Sequence, residues 1–140
     1  FKHLSTMNRT HLEGAAEALA AQQGYAFHTG PEDGMAHTVR SYPAAWLAPL
    51  ELHAVEGCGH GRATYDMTLH LLSSGARLSP TERRAALARM EEQLLEIFAA
   101  LSLDERVLAV EGLSVRPRAF ALTPHGEISQ TAAARIVTFF

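Results

Sequence analysis

One helix is punctuated so completely that it fixes what can lie on either side of it. Ser79 stands at an N-cap position, Pro80 at the first helical position, and Glu82 completes a Ser-x-x-Glu capping box. Leu87, Met90, Leu94, Ile97 and Leu101 then recur at spacings of three and four, with Leu95 and Phe98 widening the stripe. Glu82, Arg89, Glu92 and Glu96 take the outer side. A helix over residues 79–101 with one apolar stripe must pack against a sheet or a partner helix.

The segments flanking it carry strand signals. In 62–72, Ala63, Tyr65, Met67, Leu69 and Leu71 alternate with Arg62, Thr64, Asp66, Thr68 and His70, which predicts a half-buried antiparallel strand with one wet face. Upstream, Trp46, Ala48, Leu50, Leu52 and Ala54 alternate with Leu47, Pro49, Glu51, His53 and Val55, and Pro49 marks an edge or a bulge. Glycines 57, 59 and 61 make the connection a hairpin. If both apolar sets share a face, a two-residue turn at Cys58-Gly59 sets Leu52 opposite Tyr65 and Leu50 opposite Met67. Beyond the helix, three strands are expected over 107–115, 118–123 and 131–140, with a turn at Thr123-Pro124-His125-Gly126.

At the N-terminal side, residues 8–23 read as a first helix, with Asn8 as N-cap, Leu12, Ala15, Ala16, Leu19 and Ala20 on one stripe, and Gly24 as the terminating glycine. A short strand at 25–28 and a loop marked by Gly30-Pro31-Glu32-Asp33-Gly34 follow. Met7 is the candidate initiator, and residues 1–6 are read as an addition ahead of it or as disordered. Strands joined by hairpins, with only two helices, indicate a single α+β domain over 1–140: an antiparallel sheet, in one layer or two, with the 79–101 helix against it.

Composition narrows the function classes. Hydrophobic residues make up 47% and charged residues 19%, which suits a globular chain with a real core. The net charge of −3 leaves no basic footprint, so nucleic acid is not expected as the primary partner. No apolar run reaches the roughly 18 residues of a membrane span, and none is expected. The single cysteine, Cys58, excludes an internal disulfide framework.

Candidate chemistry is sparse. His53, Cys58, His60 and His70 invite a metal-site reading, yet the hairpin register separates His53 from His70 by roughly 20 Å on the polar face. Only Cys58 and His60 remain close, and two ligands do not close a zinc site. Ordinary surface histidines and a turn cysteine are expected instead. Gly57-Cys58-Gly59-His60-Gly61 lacks the following helix that a phosphate-binding loop needs. Asp104-Glu105-Arg106 reads as a solvated connection, and no nucleophile-elbow or zincin motif occurs, so neither catalysis nor a cofactor is expected. The alternative class is a small-molecule or metal-binding protein using Cys58 and His60, with His125 as a further candidate.

Two apolar segments stand out as interface candidates. Tyr42, Trp46 and Leu47 lie in Tyr42-Pro43-Ala44-Ala45-Trp46-Leu47, for which core packing is the commoner role and a subunit contact the alternative. Ile136, Val137, Phe139 and Phe140 end the chain with apolar residues on both strand faces, which predicts a strand buried twice or covered by another subunit.

The element order, the Tyr42–Leu47 stretch and the alternating Tyr65-Asp66-Met67-Thr68-Leu69-His70-Leu71-Leu72 strand together resemble the small tail-completion, or tail-terminator, proteins of long-tailed bacteriophages and prophages. The resemblance covers most of residues 8–140 in pattern. It implies a non-enzymatic structural subunit that forms a ring, hexameric by analogy, and caps or completes the tail tube. Its partners would be other copies of itself, tail-tube proteins and head-connector proteins. It would reside in the bacterial cytoplasm during assembly and then in the virion tail.

Overall fold

The computed structural model describes residues 2–57, 61–118, 121 and 126–139, and along 2–7 its backbone only. The chain runs through helix α1 (Lys2–Gln22), strand β1 (Ala26–Thr29), a 3₁₀ turn (Glu32–Gly34) and the short helix α2 (Met35–Thr38). Strands β2 (Ala44–Leu47), β3 (Glu51–Glu56) and β4 (Arg62–Ser73) follow, then helix α3 (Pro80–Ser102) and strands β5 (Val107–Pro117) and β6 (Ile128–Phe139). This is the α+β architecture expected. The strands form one six-stranded sheet in the order β1-β2-β4-β6-β5, with β3 also paired to β4. Every pairing is antiparallel except β1 with β2.

Local chemistry accounts for the helix ends. The Ser79 hydroxyl accepts from the Glu82 amide at 3.1 Å, and the Glu82 carboxylate accepts from the Ser79 amide at 2.9 Å. The Ser79 amide, with a smaller contribution from the Ser79 hydroxyl, holds the Glu82 carboxyl below the usual carboxylate range. At the end of α1, the Tyr25 amide reaches the Ala20 carbonyl and the Gly24 amide reaches that of Ala21, with Gly24 at φ +89°. This Schellman arrangement needs the left-handed backbone that glycine adopts at little cost.

Helices α1 and α3 cover one face of the sheet. Leu12, Ala16 and Ala20 from α1 and Met90, Leu94, Ile97, Phe98 and Leu101 from α3 meet Tyr65, Met67, Leu69 and Leu71 of β4 and Ala132, Ala134 and Ile136 of β6. Each fully buried Leu, Met or Phe contributes about 1.5–3 kcal/mol relative to leaving it in water. Tyr25 links the two helices through its hydroxyl to Gln93, and burial pushes its phenol above the ordinary value.

Several expectations need correction. The helix begins at Lys2, so Asn8 is interior rather than an N-cap. Its side chain is buried and donates to Thr138 Oγ1 at 3.3 Å and to the Phe139 carbonyl at 3.0 Å, tying α1 to the end of β6. Leu95 is 46% exposed rather than part of the buried stripe. The expected continuous strand over 46–55 breaks in two. The Ala48 amide still reaches the Thr68 carbonyl, but Pro49 cannot donate, and Leu50 turns into the core with its carbonyl bonded by Arg9.

Leu52 does pair with Tyr65, as the register predicted, whereas Leu50 lies in the break and pairs with nothing in the ladder. A bulge at His53 then changes the parity, so that Ala54 meets Thr64 and Val55 meets Ala63. The turn at Cys58-Gly59 lies outside the described residues. So does most of the expected 118–123 strand.

Candidate functional site

Among the described residues, the second face of the sheet is covered only at one end. There the segment 30–42 lays Met35 and Val39 over Ala44, Trp46 and Leu72, a small core separate from the main one. Trp46 Nε1 donates to the Gly30 carbonyl at 2.9 Å, and its ring stacks on His28 at a centroid distance of 6.0 Å. Beyond that cover, the face runs open across β4, β6 and β5. Its side chains are small or polar: Thr64, Thr68, Ala109, Ser114 and Ala133 help to line shallow troughs of about 340 to 490 Å³.

Charges on this open face pair across strands. Asp66 stands 3.3 Å from His53 Nδ1 and 3.8 Å from Arg135 Nε, and Arg135 lies opposite Glu111 on β5. All are well exposed, so each pair adds little to stability. Two large apolar residues border the face at the far end from the 30–42 cover. Leu108 lines the trough that Val137 also lines, and Phe139 lies two residues beyond Val137 on the same strand face. Leu108 is 49% exposed and Phe139 45%.

The structure distributes the sequence candidates as follows. Trp46 and Leu47 are buried within the protomer, Trp46 in the small core and Leu47 in the main one, and Tyr42 packs half-buried against Trp46's cluster. Ile136 is fully buried on the helical face, and Val137, on the other face, is 9% exposed at the floor of a trough; β6 is an interior strand paired on both sides rather than a terminal edge. Among the described candidates, Phe139 alone presents a large exposed apolar surface; Phe140 lies outside the described residues. Cys58, His60 and His125 also lie outside them.

His70 is not a surface histidine. Its side chain is fully buried, with Nδ1 2.7 Å from Thr131 Oγ1 and Nε2 3.2 Å from the Glu32 carboxylate. Burial holds its pKa below the ordinary 6.5, with a smaller opposing pull from Glu32 and a push in the same direction from Arg118. Asp104 is likewise not simply solvated. Both its oxygens lie 2.8 Å from His11 Nε2, and Oδ1 accepts from the Arg106 amide at 2.9 Å. Sequence reasoning missed these partners because each joins segments far apart in the chain, and nothing local marks Glu32 or His11 as a partner.

Among the described residues, then, His11, His53 and His70 each lie against a different carboxylate, whereas His28 stacks on Trp46. No three His, Cys, Asp or Glu groups among them approach closely enough to hold a metal ion, and no described helix is long and apolar enough to cross a membrane. No family model matches the chain, and no curated protein does. What the open face offers chemically is a broad, shallow contact surface with paired charges and an apolar border.

Proposed function

We propose that this chain is a non-enzymatic structural subunit of a bacteriophage or prophage tail, which closes into a ring that caps or completes the tail tube. The observation that supports the reading best is the asymmetry of the sheet. One face carries the two long helices, while the other, among the described residues, is open over β4, β6 and β5 beside exposed Leu108 and Phe139. The element order adds the resemblance to tail-completion proteins.

A ring requires two different complementary patches on each subunit. The Leu108–Phe139 border is the first nominee. The second is β3, at the opposite side of the sheet, where every residue is exposed and Leu52 and Val55 are each about half in water. These take over the role first assigned to Trp46 and Ile136. The partners in this reading are further copies of the chain, tail-tube proteins and head-connector proteins, met in the bacterial cytoplasm during assembly and kept in the virion.

Negative-stain electron microscopy with paired variants tests the proposal. Wild type should give ring-shaped particles, and Leu108→Glu with Phe139→Glu should disperse them while far-UV circular dichroism stays unchanged. Rings that survive both substitutions would sink the patch assignment, and no rings at any concentration would sink the reading.

A further inference from the structure

We propose that residues 30–42 are a latch over the second sheet face, closed by Glu32 across His70 and Arg118 and released in mild acid to uncover Trp46 and Leu72. The inference stands apart from the tail reading and does not depend on it.

The segment is a strap laid across Ala44 and Trp46 of β2 and Leu72 of β4. At its start the Gly30 amide donates to the Leu47 carbonyl at 3.3 Å, and the Gly30 carbonyl accepts from Trp46. Met35 and Val39 then provide its buried apolar contacts. Between these, Glu32 adds a charged contact: its Oε2 lies 3.2 Å from His70 Nε2, at a distance for ion pairing but without hydrogen-bond geometry, and 3.7 Å from Arg118 Nη2. Beneath the strap lies an apolar surface made of Ala44, Trp46 and Leu72. It is continuous along β4 and β6 with the open face, since Leu72 pairs with Ser129 and His70 with Thr131, two residues from Ala133. Lifting the strap would therefore lengthen one existing surface and add a tryptophan to it.

His70 is the group that responds to acid. It is packed against Thr131 on β6, whose ladder partner on β5 is Arg116, and lies opposite Trp46 on β2. Glu32 faces it from the 3₁₀ turn, and Arg118, just past β5, approaches the same Glu32 oxygen. Glu32 favours the imidazolium, whereas the buried setting and Arg118 oppose it, and the balance favours the neutral ring.

The closed strap thus binds a proton at His70 more weakly than any state in which water reaches the ring. Linkage then fixes the sign: closure is fully supported above about pH 6.5, and support is lost as the pH falls below that value toward the depressed pKa. The expected loss is about tenfold in the closing equilibrium for each unit by which His70 lies below 6.5.

Amide hydrogen exchange across pH 7.5 to 5.0 tests this on the intact chain. Within the strap, the Gly34 amide is bonded to the Pro31 carbonyl and the Val39 amide to that of Met35. Their protection factors should fall in this window while those of Leu69 and Leu94 hold. In His70→Gln the fall should vanish. Emission from Trp46 should shift to the red in parallel, with His28→Gln as control because His28 stacks on the ring. If strap protection stays constant in wild type, the proposal fails. It fails equally if His70→Gln shows the same loss, or if the His70 imidazole titrates above 6.5 by NMR.

Discussion

Replacing Trp46 with phenylalanine separates an internal role from an interfacial one. The indole fills the small core under the 30–42 strap and donates to Gly30 across 2.9 Å. Phenylalanine retains a ring in that space but cannot donate, leaving the Gly30 carbonyl without its partner at a cost of about 1 kcal/mol. It also removes two ring carbons from a site that is only 2% exposed, a loss of about 1.6 kcal/mol at about 0.8 kcal/mol per buried carbon. The total is about 2.5 kcal/mol.

With a urea slope of about 2 kcal/mol/M for a domain of this size, the unfolding midpoint should fall by about 1 M. Circular dichroism is the appropriate readout, since the substitution removes the only tryptophan, and both proteins must be compared at one concentration because association adds to apparent stability. The particle mass should not change. A stability loss under about 0.5 kcal/mol, accompanied by a smaller particle, would refute the internal assignment and return Trp46 to the subunit interface.

Other substitutions probe the local devices. Ser79→Ala removes half of the capping box and should cost about 1 kcal/mol, measured by urea unfolding. Gly24→Ala forces a side chain onto a backbone at φ +89° and should cost about 1 kcal/mol, with early fraying of α1 visible by hydrogen exchange. His11→Ala loses the 2.8 Å tie to Asp104. Because both side chains are partly exposed, the melting midpoint should move by no more than about 1 kcal/mol allows, and a larger loss would mean that the tie organises the α3–β5 connection.

What could be read from the residues was what local chemistry encodes. The capping box at Ser79, the Gly24 terminator and the alternation along 62–69 each constrain backbone or face without reference to anything distant, and each is found in place. Leu52 opposite Tyr65 followed from the same logic, because one buried face admits one register. The reasoning ran out where a second element decides the outcome. Alternation through 46–55 read as one strand, yet Pro49 and the His53 bulge divide it, and Leu52 and Val55 stay about half exposed.

His70 looked wet because every second residue of β4 was assigned to solvent. The 30–42 segment, which reads as a glycine-bounded loop, in fact supplies Met35 and Val39 to cover that end of the face. Ile136 and Val137 suggested a strand covered on both faces; the domain's own helices cover Ile136, while the face that carries Val137 and Phe139 lies along the open trough. The candidate surface was less legible than the fold, since Leu108 and Phe139 gain meaning only once β5 and β6 are paired.

The central claim is that the open sheet face and its apolar border join copies of this chain into a closed ring. Light scattering coupled to size-exclusion chromatography tests it most directly. At micromolar concentration the account predicts one sharp species at a fixed multiple of 15.2 kDa, with six copies the multiple implied by the resemblance. A species that stays at 15.2 kDa up to the highest attainable concentration would contradict it.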